Sequence, residues 1–229
     1  MRKNLLVTCA LLVGCALGVG LSRATAQNPG PSAAPPDPNT VKLIGDRFAP
    51  LTYRDMTPAQ KTMFEHLLAG ERRGASGPFN VLLRSPEMGD LAQQFGSSMR
   101  YHSSIPSRLN ELAIIITARH WTSHYEWYAH KRAALQAGLA PAIVDAVATG
   151  KTPTGMKADE AAVYTFIHEL LTTKQVSDRT FAAVKTLFGE RGAVDLIGVS
   201  GYYTLVSMAL NVDRHPLPSG VQAELTPLP

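Results

Sequence analysis

Cysteine is almost missing from this chain: its 229 residues hold two, Cys9 and Cys15, and none follows. Both fall in an opening segment that reads as cleavable. Arg2 and Lys3 precede an uncharged apolar stretch from Leu5 to Leu21, and Ala24-Thr25-Ala26 supplies a small-x-small cleavage site. This is the pattern of a Sec-type signal peptide over residues 1–26, cut before Gln27, and it predicts a periplasmic or secreted protein. Leu12-Val13-Gly14-Cys15 also resembles a lipobox that would leave Cys15 acylated, although the apolar run continues beyond it to Leu21. With both cysteines removed, a disulfide framework, a zinc–thiolate site and a cysteine nucleophile are excluded.

A strong charge imbalance is lacking too. Of 22 Lys and Arg residues, Arg2, Lys3 and Arg23 precede residue 27 while no acidic residue does, which leaves 19 bases against 18 acids. Such a balance gives no electrostatic case for nucleic acid. Strand signals are equally scarce, with Val41 to Phe48 and Val81 to Leu83 the only candidate extended pieces. Residues 27–40, with Pro29, Pro31, Pro35, Pro36 and Pro38, read as a disordered tether. Residues 41–229 suit a single domain with a sizeable core.

Helix signals fill that domain. Thr57-Pro58-Ala59-Gln60 is a capping box with proline at the first helical position, followed by the stripe Met63, Phe64, Leu67 and Leu68. Gly77-Pro78-Phe79-Asn80 interrupts the chain. Ser85-Pro86-Glu87 restarts it, with Met88, Leu91, Ala92, Phe95 and Met99 at helical spacing. Further helices are predicted from about Pro106 to His120, from Ser123 to Gly138, from Pro141 to Ala148 and from Asp159 to Thr172. Another runs from Ser177 to Gly189, and a last one from about Ala193 to Asn211. The last is long enough to span a membrane, but Asp195 and its small polar residues favour burial in a core or subunit interface. The fold class is all-α, a compact multi-helix bundle of about seven or eight helices.

The segment Arg108 to Leu139, RLNELAIIITARHWTSHYEWYAHKRAALQAGL, concentrates the chemistry-bearing side chains. Glu126 and His130 are one helical turn apart and project from one face. A histidine that titrates near neutrality suits proton transfer, and a glutamate beside it can orient it or act as an acid. Arg119 or Arg108 can hold a carboxylate or an oxyanion.

Arg108 and Glu111 on one helix, His130 on the next and the exit from Ala134 to Gly138 resemble the signature of the carboxymuconolactone decarboxylase-like superfamily, which includes the alkylhydroperoxidase D proteins. The resemblance extends from Gly77-Pro78-Phe79-Asn80 to about Pro218. It implies a bundle of the alkylhydroperoxidase D-like type and a homo-oligomer of three or more copies, with no cofactor. Those peroxidases carry Cys-x-x-Cys-x-x-x-His. Aligning His130 with that histidine places Ser123 and Glu126 on the cysteines, and neither side chain can attack a peroxide or resolve a disulfide. The decarboxylase members show Glu-x-x-x-His, which Glu126-Trp127-Tyr128-Ala129-His130 matches. The resemblance thus implies decarboxylation or proton transfer on a lactone or related small cyclic acid. The expected catalytic residues are His130, Glu126 and Glu111. Arg119, Tyr125, Trp127, His124 and Arg108 are expected to bind substrate, with no metal. Export and the added helices between Val41 and Met99 depart from the decarboxylases.

Each residue also has a plainer reading. Ser123-x-x-Glu126 is itself a capping box. Arg108 and Glu111 can form a surface pair, His130 can be a satisfied core histidine, and the aromatic residues can be packing. His120, His124, Glu126 and His130 include metal-ligand types, but the break at Thr122-Ser123 sets His120 and His124 on different helices. A non-catalytic, oligomeric small-molecule-binding protein is the competing functional reading, and a His/Glu metal-dependent enzyme is a third.

Overall fold

The computed structural model describes residues 34–227; the signal-peptide segment and the first half of the tether, residues 27–33, lie outside them. The described residues form eight α-helices and no strand. In order these are α1 (Pro58–Ala69), α2 (Phe79–Leu82), α3 (Pro86–Tyr101), α4 (Ser107–His120), α5 (His124–Gln136), α6 (Pro141–Ala148), α7 (Ala158–Thr173) and α8 (Asp178–Asp213). An all-α bundle is therefore what this sequence builds.

Local signals place most of the boundaries. The Thr57 hydroxyl accepts from the Gln60 amide at 3.3 Å while Gln60 accepts from the Thr57 amide at 2.9 Å, which closes the capping box of α1. Gly138 beyond α5 and Gly150 beyond α6 take left-handed conformations, φ 88° and 69°. The Ser177 hydroxyl caps α8 through the Thr180 amide. Gly189, at φ 69° and ψ −177°, interrupts α8 where the sequence marks the end of one helix and the approach of the next.

Two apolar cores result. Met63, Phe64, Leu67, Leu68, Phe79, Leu82 and Leu83 fill the one between α1, α2 and α3. The larger one joins α4 to α8 and contains Leu109, Leu112, the Ile114–Ile116 triplet, Phe166, Ile167, Leu196 and Val199. α8 is the one described helix long and apolar enough to cross a membrane, and half of its most apolar window is buried inside the protein.

Three expectations are corrected. Val81 to Leu83 is not extended: Val81 and Leu82 belong to α2, because Pro78 sets a helical φ and the turn buries Phe79 and Leu82 in the first core. Val41 to Phe48 forms no strand. Its backbone docks on the end of α8 instead, where Asp213 Oδ1 accepts from the amides of Asp46 (3.2 Å) and Phe48 (2.9 Å). The apolar stripe of α3 is only partly its buried face. Ala92 is buried and Met99 packs against the larger core, but Met88, Leu91 and Phe95 are exposed, and Gly89, Gln93 and Gly96 are buried in their place. Small residues let α3 approach closely: a Cβ on Gly89 would meet Leu82 O at 2.6 Å, and one on Gly96 would overlap the Tyr202 ring.

Candidate functional site

α4 and α5 pack side by side across the turn at Trp121 to Ser123, where Thr122 adopts φ 48°. That turn brings Glu111 and His130 together although they are nineteen residues apart. Nδ1 of His130 donates to Glu111 Oε2 at 2.7 Å, and Nε2 lies 3.2 Å from Glu126 Oε2. All three side chains are buried. The Glu126 contact is an ion pair without hydrogen-bond alignment, so its buried Oε2 retains acceptor capacity. Burial by itself pushes the His130 imidazole down. The hydrogen bond to Glu111 and the nearness of Glu126 outweigh that and raise its pKa to about 9. His130 is thus an imidazolium at neutral pH, held between two carboxylates.

The Glu126–His130 face looks into a cavity of about 290 Å³. Its volume corresponds to about ten water molecules, the lower end of the range for small-molecule sites. Tyr203 stands edge-on to His130, ring centres 4.9 Å apart. Its hydroxyl is buried without a partner among the described residues, and burial pushes it well above the usual phenol range, so it stays protonated with a donor to spare. Arg72 and Arg100 line the same cavity, and neither makes an ion pair among the described residues. The Arg72 guanidinium lies 5.3 Å from the Phe79 ring centre and 5.9 Å from that of Tyr202, and donates to the Tyr202 hydroxyl at 3.3 Å. Its Nε is buried and unpartnered.

The structure separates the residues expected here into two groups. His130, Glu126 and Tyr125 line the cavity, and Glu111 backs His130 from outside it. Arg108 is elsewhere: it pairs with Asp159 at 2.7 Å and with Glu160, because Glu111 is turned to His130 and the start of α7 supplies the acids. Trp127 is core, its Nε1 donating to Glu224 at 3.1 Å. His124 faces a separate cavity beside His215, and Arg119 with His120 faces another. The four residues proposed as metal ligands are thus distributed over three cavities. Glu126 is also not a helix cap: the Ser123 amide is taken by Ala118 O at 2.9 Å, and the Ser123 hydroxyl caps nothing.

Arg72, Arg100, Tyr202 and Tyr203 escaped the reading of the sequence. The available signals were weak. Arg72 sits in the glycine-punctuated segment from Gly70 to Gly77, and the tyrosine pair interrupts an otherwise small-residue stretch of α8. No family model matches the chain, and no curated protein matches it.

Proposed function

We propose that this chain is an exported carboxymuconolactone decarboxylase-like enzyme that transfers a proton to or from a lactone or related small cyclic carboxylic acid, decarboxylation being the favoured reaction. The observation that carries this reading is the Glu126–His130 pair lining a cavity that also presents Arg72 and Arg100, neither of them in an ion pair among the described residues. A substrate carboxylate fits against Arg72 and Arg100, whose charge lets an anion leave water. In decarboxylation the bond between the ring carbon and the carboxylate breaks, and CO2 departs. The electron pair left behind spreads to the lactone carbonyl oxygen as an enolate. Tyr203 can donate to that oxygen, and His130 Nε2 supplies the proton that returns carbon to neutrality. Glu126 re-protonates the imidazole from solvent, and Glu111 holds the ring in place. Peroxidase chemistry has no thiol after residue 15 to support it.

Self-association is part of the same proposal. What supports it is apolar surface: Val194, Ile197, Met208 and Val212 on α8 and Met88, Leu91 and Phe95 on α3 are all exposed.

Incubation of the purified protein with γ-carboxybutenolides tests the reaction. CO2 release, with solvent deuterium incorporated at the ring carbon, is expected and should vanish in His130→Gln. Saturable binding of these acids without turnover by the wild type would instead establish the binding-protein reading.

A further inference from the structure

Arg119 was expected at the substrate site, and its actual surroundings call for a ligand of a different kind. It lies near the end of α4, only 3% exposed, with no carboxylate within ion-pair distance among the described residues. Its one hydrogen bond runs from Nη2 to Thr226 O at 2.6 Å, while Nε and Nη1 are buried without partners. A guanidinium does not neutralise by losing its proton at any ordinary pH, so burial leaves a full charge to be compensated. Two idle donor atoms and no ion-pair partner among the described residues leave this guanidinium poorly satisfied.

The surroundings add one more positive charge, Lys151, and burial holds the neighbouring His120 imidazole below its usual pKa, where it is a neutral hydrogen-bonding group. Arg119 lines a cavity of about 80 Å³ whose rim carries His120, Lys151 and His168, all exposed, and no acidic side chain lines it. Tyr164 stacks on His168 with ring centres 5.5 Å apart, and the Thr172 hydroxyl is spent on the His168 carbonyl at 2.7 Å, so the donors for an anion come from Arg119 and the rim. The rim is open to solvent and attracts anions inward, and the buried guanidinium waits at the end of the path. A volume equal to about two or three water molecules admits one small ion and excludes a lactone ring.

We infer that this cavity between α4, α6 and α7 is a binding site for a small inorganic oxyanion of phosphate or sulfate size, with Arg119 as its principal ligand. The site is separate from the cavity of His130 and does not depend on what that cavity does. The bound anion supplies the missing countercharge and partners for Nε and Nη1, and it joins the end of α4 to the α6–α7 connection.

Thermal unfolding of the purified protein, followed against sodium phosphate at constant pH and ionic strength, tests the assignment. Because an ion that binds only the folded state stabilises it by mass action, Tm should rise with phosphate in the wild type. Arg119→Met fills the same space without charge and should abolish the rise. In phosphate-free buffer it should be no less stable than wild type, since it removes an uncompensated charge. Should Arg119→Met not fold, Lys151→Gln on the exposed rim carries the test: its phosphate affinity should fall about tenfold, the loss of one charge-assisted contact. Equal phosphate responses in wild type and in the variants, or no response in the wild type, would overturn the assignment. So would a crystal grown in phosphate with no density at Arg119.

Discussion

Glu111 on α4 accepts a hydrogen bond from Nδ1 of His130 on α5 at 2.7 Å, from behind the wall of the cavity that His130 faces. One ring nitrogen is thereby committed to Glu111, and the other lies 3.2 Å from Glu126 on the side of the ring that lines the cavity. The contact fixes the imidazole orientation and helps keep it charged, so it links helix packing to the chemistry of the site.

That link should be visible in stability. The His130 pKa is about 9 in the folded protein against 6.5 for an unperturbed histidine, so between these values the folded state binds more protons than the unfolded state. Its contribution is fully present below about pH 6.5 and is lost as pH rises through about 9. Urea midpoints measured from pH 6 to 10 should therefore fall with pH. Glu111→Gln should flatten this dependence, because burial then has less opposing it. A midpoint that rises over this window would contradict the Glu111–His130 geometry.

Gly96 should tolerate no side chain. A Cβ there overlaps the ring of Tyr202, which is only 2% exposed and forms a wall of the cavity. Gly96→Ala gains helix propensity of about 1 kcal/mol but forces the ring to move, so we expect a net loss of about 1–3 kcal/mol. Denaturant unfolding measures that loss, and the displaced Tyr202 should also weaken carboxylate binding. Alanine tolerated at no cost would mean that α3 and α8 are not in such close contact.

Arg108 should matter for stability and not for ligand. Its removal strands Glu160, whose side chain is 4% exposed, although the Lys157 amide still donates to it. Arg108→Met should cost about 3 kcal/mol in chemical unfolding. Affinity for the substrate acids, measured per folded molecule, should be unchanged.

The contrast between Arg108 and His130 shows what was legible in the sequence. Glu126 and His130 are a local pair, one helical turn apart, and periodicity alone puts them on one face. Arg108 and Glu111 are equally local, and the same rule made them partners. Here tertiary contacts overrode it, since α7 offers Asp159 and Glu160 while α5 offers His130. The helices themselves were readable because caps, prolines and glycines act within a few residues. The face of α3 was not, because its packing selects small residues, and a hydrophobic pattern cannot reveal that Gly89 and Gly96 are the buried ones. Arg72 and Tyr203 meet only through the tertiary fold, so no spacing in the chain announces them.

Assembly has a direct check. If the exposed apolar residues of α3 and α8 cover one another between copies, the solution mass should be that of several protomers. Ile197→Glu or Leu91→Glu should then lower it. Light scattering that finds a monomer in the wild type would remove this part of the proposal.

The roles of Glu126 and His130 separate most clearly in the dependence of rate on pH. A general acid works while protonated, so wild-type turnover of a γ-carboxybutenolide should hold up to about pH 9 and then fall as His130 loses its proton. His130→Gln should lower the rate by a factor on the order of 10²–10⁴ at every pH, with Tm little changed if the amide still meets Glu111. Glu126→Gln removes one of the two carboxylates that hold the imidazole charged against its burial. The fall in rate should therefore move to lower pH, and proton return to His130 should slow. Because Ser123 is not capped by Glu126, helix α5 should survive this change, and circular dichroism should match wild type. An unaltered rate and pH profile in Glu126→Gln would remove Glu126 from the reaction. A profile that rises through pH 9 would mean that the neutral imidazole is the active form and that His130 works as a base.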